Sequence, residues 1–161
     1  MNQARHVAYR LRLADGFLAE AQQDITLSRW RSAIDNAQLT IENSAKAVLA
    51  ILGPVGRTHY PAGLLRGSIE EKKWDTHLLA QIQRLTELAE LYGFDVHIQT
   101  DYGDETEDLT PWELFDGEDA HRALEVAVEA FDLASAITQS IIVDDRPNDE
   151  IPDHDENGLP T

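Results

Sequence analysis

The sequence predicts an all-α protein that folds as an antiparallel up-and-down bundle of four to five helices. Four long segments carry apolar residues at alternating spacings of three and four, the pattern of a helix with one buried face. Glycine and proline lie between these segments, where helices end or begin. Strand alternation is limited to a brief stretch at residues 95–100. Helices of this length bury their apolar stripes most economically against one another.

The first two helices are defined by long apolar stripes. The first stripe occupies residues 4–25, which is about six helical turns. Ser28 is a suitable N-cap for the second helix, whose stripe occupies residues 30–52. Gly53 and Pro54 then end it, because glycine adopts the left-handed cap conformation and proline cannot continue a helix.

The remaining helices follow from similar signals. Residues 61–69 predict a short helix, and the stripe at residues 78–92 predicts the third long helix, which ends at Gly93. Residues 110–113 (TPWE) predict a helix start with a capping box. The fourth long stripe begins at Ala120 and continues towards Ile141.

The negative charge is concentrated in two segments. The 161-residue chain has a formal net charge of −17, and residues 101–119 hold nine acids without Lys or Arg. Residues 144–161 hold seven acids and Arg146. We therefore expect a bundle over residues 1–143 and an acidic disordered tail over residues 144–161.

Composition excludes several classes of protein. There is no cysteine, so disulfides and thiolate nucleophiles are excluded. There is no apolar run of about 18 residues, so we expect no membrane span. The N-terminal segment is amphipathic and lacks the apolar core of a signal peptide, which predicts a cytoplasmic protein.

We expect no metal site and no cofactor. Glu118 and His121 form a single Glu-x-x-His motif, whereas a carboxylate-bridged di-metal bundle needs two such motifs. The pair is therefore interpreted as a surface pair at a helix start.

The second helix carries polar residues off its core stripe, which are interpreted as a solvated face that includes a potential binding surface. They are Asp35, Asn36, Asn43 and Lys46, with Glu42 at the flank. Glu42 and Lys46 are four residues apart and can pair. Leu39 is apolar within this polar set, which indicates contact with a second protein.

The loop after the second helix brings three functional groups together. Arg57, His59 and Tyr60 lie within four residues. A cation, an imidazole and a phenol together can hold a phosphate or move a proton. An ordinary turn, with the histidine bonded to a helix end, explains the same residues equally well.

Several short segments occur in an order typical of one known family. They are residues 30–33 (WRSA), 36–38 (NAQ), 41–48 (IENSAKAV), His59, 101–104 (DYGD), 110–113 (TPWE) and 118–120 (EDA). Together they cover residues 5–140 and resemble the HEPN domain. The resemblance implies a small helical bundle whose second helix reads approximately A-x-x-x-A-Q-x-x-x-E-x-x-x-K-A, with a histidine after it.

The resemblance implies two functional classes. Many HEPN proteins are metal-independent ribonucleases with an Arg-x(4–6)-His site that acts across a homodimer. Others pair with a small nucleotidyltransferase, often as a toxin–antitoxin couple, or are thought to bind nucleotides. In this chain no arginine is followed by a histidine at that spacing, since Arg57 and His59 have one residue between them. Asp101 stands before Tyr102, where the family usually has arginine.

We therefore expect a homodimeric HEPN-type binding module that partners a nucleotidyltransferase and binds a nucleotide. The ligand-binding candidates are Glu42, Asn43, Lys46, Tyr60 and Tyr102. The alternative is a ribonuclease that acts on RNA, with His59 as the base and Arg57 stabilising the charge on the phosphate.

Overall fold

The computed structural model describes residues 2–144, which are 77% helical and contain no strand. The α-helices are α1 (Gln3–Thr26), α2 (Trp30–Leu49), α3 (Pro61–Glu70), α4 (Leu79–Leu91), α5 (Phe94–Tyr102), α6 (Pro111–Leu114) and α7 (Gly117–Asp144). A 3₁₀ turn at Thr76–Leu78 leads into α4. The predicted all-α bundle is confirmed. Within the described residues no helix is both long and apolar enough to cross a membrane. The predicted acidic tail lies outside them, apart from Asp144, the last residue of α7.

Helix α2 is the central helix of the bundle. Every residue from Thr40 to Ala50 is buried. Helix α1 runs antiparallel along one side of α2, since Thr40 lies against Ala14 and Asn36 bonds Asp24. The predicted polar face of α2 is therefore covered by other helices, and the interpretation of a solvated face was wrong. Leu39 is half-buried within the fold.

Helix α7 packs against α2 through small side chains. Ala120, Ala123, Ala127, Ala130 and Ala134 are completely buried. Alanine has no bulky side chain, so it allows neighbouring helices to approach closely. Helix α4 runs antiparallel to α7, since Arg84 in the middle of α4 pairs with Glu129, whereas Tyr92 after its end lies near Asp119 and Arg122 at the start of α7.

Two helix boundaries differ from the sequence prediction. Arg29 is the N-cap residue of α2, and it makes no capping bond through its side chain. Ser28 has a positive φ of 54° instead of the extended conformation of a capping residue. Helix α2 also ends at Leu49, four residues before Gly53, because the chain already turns at Ala50.

The segment at residues 95–100 is part of a helix, so the possible strand was wrong. Helix α5 begins after Gly93 and docks on α2 through polar contacts: Arg31 donates to the carbonyl of Thr100 at 2.8 Å. Six residues of alternating polarity are too few to distinguish a strand from a short helix. The predicted start at residues 110–113 is confirmed, because Thr110 and Glu113 form a capping box.

Candidate functional site

One side of α2 carries five polar residues in a single line, which we name the α2 polar row. Arg31, Asp35, Gln38, Glu42 and Lys46 follow at spacings of four, three, four and four, so they share one helix face. The loop after α2 and helix α5 cover this face, as the contacts of His59 and His97 with it show.

Glu42 is the centre of a buried hydrogen-bond network. Lys46 Nζ donates to Glu42 Oε1 at 2.5 Å, and Gln38 Nε2 donates to Glu42 Oε2 at 3.3 Å. Glu42 and Lys46 are each only 6% exposed. A buried carboxylate and ammonium are tolerated because each compensates the charge of the other.

His59 meets this network from the solvent side. Its Nδ1 lies 3.7 Å from Glu42 Oε1, while its side chain is 67% exposed. A cavity of about 10 Å³ lies between Gln38, Glu42 and His59, near the size of one water molecule. Gln38 lines this space, and its Oε1 has no hydrogen-bond partner among the described residues.

A second histidine contacts the row at Asp35, two members of the row before Glu42. His97, on α5, places Nδ1 3.3 Å from Asp35 Oδ1. Thr100 donates its hydroxyl to the same carboxylate oxygen at 3.2 Å. Asp35 therefore holds both the ring of His97 and the end of α5 against α2.

The two histidines stack on each other. The rings of His59 and His97 are nearly parallel, at an interplanar angle of 9°, and their centroids lie 6.1 Å apart. Phe94 lies beside both rings, at 5.8 Å from His59 and 6.2 Å from His97. The site thus combines two imidazoles, each next to a carboxylate, with an exposed aromatic surface.

The N-terminal end of the row is already neutralised. Arg31 lies 3.7 Å from Asp101 Oδ1 and donates to the Thr100 carbonyl. Its guanidinium carbon also lies 5.9 Å from the centre of the Trp112 ring. Asp101, which stands before Tyr102, is thus partly compensated by an arginine from α2.

The structure brings some predicted site residues together and separates others. Glu42, which pairs with Lys46, lies next to His59, and Tyr60 lines the same small cavity and is exposed just before α3. Asn43 instead faces α1, where its side chain accepts from Arg10 Nη1 at 3.2 Å. Tyr102 is exposed at the C-terminal end of α5, next to Asp101 at the other end of the row.

Arg57 is exposed in the loop after α2. It makes no ion pair or side-chain hydrogen bond with the described residues, so its charge remains open to solvent. It therefore stands near His59 in sequence but outside the buried network.

The Glu-x-x-His pair at the start of α7 is engaged in local contacts. Glu118 pairs with Arg122 at 3.0 Å, and His121 Nδ1 lies 2.6 Å from the carbonyl of Gly117. Over residues 2–144 no three His, Asp or Glu side chains form a group that could hold a metal ion.

Sequence reasoning missed Gln38, Phe94 and His97 as site residues. The line from Arg31 to Lys46 is a usable sequence signal, because its spacings keep five polar residues on one face of the helix. His97 and Phe94 have no comparable signal, since their place depends on how α5 docks.

Comparison with protein families agrees with this architecture. The family model of the HEPN domain matches residues 7–137, most of the described bundle. No curated protein sequence matches the chain. Since the family model spans well over half of the chain, the protein belongs to the HEPN domain family.

Proposed function

We propose that this HEPN protein is a binding module that partners a small nucleotidyltransferase in a toxin–antitoxin-like pair. The observation that carries the proposal is the neutralised state of the α2 polar row. Lys46 is bound to Glu42, and Arg31 is held by Asp101 and the Thr100 carbonyl. Two cations near the histidines are therefore already paired within the protein and are not available to a substrate phosphate. This favours a binding function over the cleavage of a phosphodiester.

The same site is proposed to bind a nucleotide. The rings of His59 and Tyr60 offer flat, exposed surfaces on which a base can stack. Arg57 is the nearby exposed cation that would attract the phosphate. Glu42 and Lys46 support this surface from below, whereas Asn43 faces α1 and Tyr102 lies at the far end of the row.

Partnership is tested by reading the genes on either side of this one and co-expressing a neighbouring nucleotidyltransferase. We expect the two chains to co-elute from a size-exclusion column as one complex. If a neighbouring enzyme is made soluble and elutes separately at micromolar concentration, the partnership is wrong.

Nucleotide binding is tested by calorimetric titration of ATP and AMP into the wild type, His59→Ala and Arg57→Ala. We expect both variants to weaken binding about tenfold or more, because they remove the stacking ring or the phosphate cation. Arg12→Ala, an exposed arginine on α1, is the matched control that retains binding. Equal affinity in all four proteins contradicts the proposed site.

A metal-independent ribonuclease is the second candidate, and the two histidine–carboxylate contacts favour it. In this reaction His59 would take the proton from a ribose 2′-hydroxyl, and Arg57 would stabilise the charge that grows on the phosphate. Glu42 and Asp35 are placed to orient His59 and His97.

The two candidates are separated by RNA digestion without divalent metal. Under the binding proposal, the wild type shows no cleavage that His59→Ala abolishes. Robust cleavage that is lost in His59→Ala and in Arg57→Ala would instead establish the ribonuclease. Cleavage that persists in both variants identifies a contaminating nuclease.

A homodimer is proposed as well. HEPN domains often dimerise. Leu39, on which the expectation rested, is half-buried within the monomer. Support now comes from Leu91, Phe94 and Ile98, which are exposed apolar residues at the junction of α4 and α5.

A further inference from the structure

Three large side chains stand exposed on the segment that joins α5 to α7. Tyr102 is 64% exposed, Trp112 is 74% exposed, and Leu109 is exposed between them in the sequence. Gly103 brings the two ends of this loop together, since a Cβ at that position would lie 2.8 Å from the carbonyl carbon of Thr110. We use the name loop aromatic face for these three exposed residues, namely the aromatic residues Tyr102 and Trp112 together with Leu109.

The backbone that carries this face is fixed by its own hydrogen bonds. Asp104 and Leu109 exchange two backbone bonds of 2.8 and 2.9 Å. The Asp104 side chain accepts from the N–H groups of Thr106 and Glu107. Gly103 has a φ of +74°, a conformation that favours glycine. Since the loop is already ordered, binding at its face costs little backbone entropy.

The charge around the face is negative and not compensated locally. Glu105, Glu107 and Asp108 are exposed, and none of them pairs with a cation of the described chain. Acids elsewhere on the surface do pair with arginines, as Arg66 with Glu90 and Arg84 with Glu129. The negative electrostatic potential of the loop can therefore attract a cation from outside the protein.

The Trp112 ring already packs against a cation. The guanidinium carbon of Arg31 lies 5.9 Å from the centre of the Trp112 ring, yet the Trp112 side chain remains largely exposed. A cation over an aromatic ring is attracted by the ring quadrupole. The open part of the indole is therefore suited to a further guanidinium or ammonium group from outside.

We propose that the loop aromatic face docks a basic segment of a protein partner, rich in Arg or Lys. A nucleic acid would be repelled by the carboxylates, and a second copy of this chain would present the same negative face. Apolar contact with Tyr102 and Leu109 adds to the charge complementarity. The docking surface itself does not depend on the proposed function. Only the identification of the partner as a nucleotidyltransferase rests on it.

The surface is tested with a fluorescein-labelled hexa-arginine peptide, followed by fluorescence anisotropy at several salt concentrations. We expect Trp112→Ala to weaken binding about two- to fivefold without changing the net charge. The triple variant Glu105→Gln, Glu107→Gln, Asp108→Asn should weaken binding and flatten its salt dependence.

The matched control neutralises three acids away from the loop. Asp15→Asn, Glu20→Gln, Glu70→Gln has the same net charge as the loop triple variant and should bind like the wild type. Circular dichroism checks that all variants remain helical. The proposal is wrong if both triple variants weaken peptide binding equally, because the peptide would then respond to the net charge of the whole protein. It is also wrong if Trp112→Ala binds the peptide as tightly as the wild type.

The same variants in the co-elution experiment separate this inference from the proposed function. If the nucleotidyltransferase binds the wild type but also binds Trp112→Ala and the loop triple variant equally well, the docking surface is wrong and the partnership stands. If the peptide discriminates as expected but no nucleotidyltransferase complex forms, the surface stands and that partner is wrong.

Discussion

At the scale of single residues, the buried pair of Glu42 and Lys46 is the most consequential feature of the chain. Both charges lie inside the bundle, so each depends on the other for compensation. The spacing of four predicted the pairing. Burial of Glu42 depends on tertiary packing, since the loop after α2, the start of α3 and the end of α4 lie beside it.

The buried pair makes a direct prediction for stability. Lys46→Met should lower the free energy of unfolding by about 3–5 kcal/mol, because it leaves the Glu42 charge buried without its cation. The double variant Glu42→Gln, Lys46→Met removes both charges and should recover most of that loss. Urea unfolding of the wild type, both single variants and the double variant measures the coupling. Losses that simply add would show that the pair does not act as a unit.

Gly103 and Gly16 differ in the space that a Cβ atom would have at each position. A Cβ at Gly103 would lie 2.0 Å from the Leu109 carbonyl oxygen, at a φ of +74°. Gly16 lies on the exposed side of α1 with open space around it. We expect Gly103→Ala to destabilise by more than about 1 kcal/mol and Gly16→Ala to stabilise by about 0.5–1 kcal/mol. Thermal unfolding measures both, and a neutral Gly103→Ala would contradict the packing at this turn.

At the scale of elements, the short helix α5 is positioned by polar side chains, whereas the long helices are positioned by apolar stripes. Helix α5 is held to α2 by Asp35 and Arg31 through contacts with His97 and Thr100. Helix α6 has only four residues, and its start is closed by the capping box of Thr110 and Glu113. Elements this short contribute little apolar burial of their own, so single polar contacts decide where they lie.

The capping box predicts a pH dependence for the start of α6. The backbone N–H and then the hydroxyl of Thr110 donate to the Glu113 carboxylate and lower its pKa below the ordinary value of 4.5. The unfolded chain therefore takes up the proton first as the pH falls. The stability that Glu113 contributes is complete above its unfolded pKa and is lost as the pH falls through its folded pKa.

This dependence is measured by comparing thermal unfolding of the wild type and Glu113→Gln over a range of pH. The wild type should be the more stable protein at pH 7, and the difference should shrink in acid until it disappears. A difference that grows towards low pH would contradict the sign of the pKa shift.

At the scale of the whole molecule, charge and apolar exposure divide the surface into distinct regions. The segment of residues 101–119, from the end of α5 to the start of α7, is strongly acidic, whereas the junction of α4 and α5 exposes Leu91, Phe94 and Ile98. Exposed apolar side chains grouped in this way are typical of a contact surface. The two surfaces therefore suit different partners, one basic and one apolar.

Assembly through the apolar surface is the prediction at this scale. Light scattering at micromolar concentration should give about twice the chain mass of 18.0 kDa. Replacing Phe94 and Ile98 by serine should shift the mass towards one chain, while Leu27→Ser, at an exposed leucine after α1, should not. A wild type that remains a single chain contradicts the dimer.

The sequence by itself determined the long helices, their order and the short helix predicted at residues 61–69, which the structure places at Pro61–Glu70. Those elements depend on local information, namely the spacing of apolar residues and the position of glycine, proline and capping groups. The pairing of Glu42 with Lys46 was predictable for the same reason, since both lie on one helix four residues apart. Only the tertiary structure decided that α2 is the central helix and that its polar row is covered. It also decided that His97 stacks on His59, 38 positions away in the chain, and that Asn43 faces α1. These relations arise from the docking of one element on another, which the periodicity of a single helix does not encode.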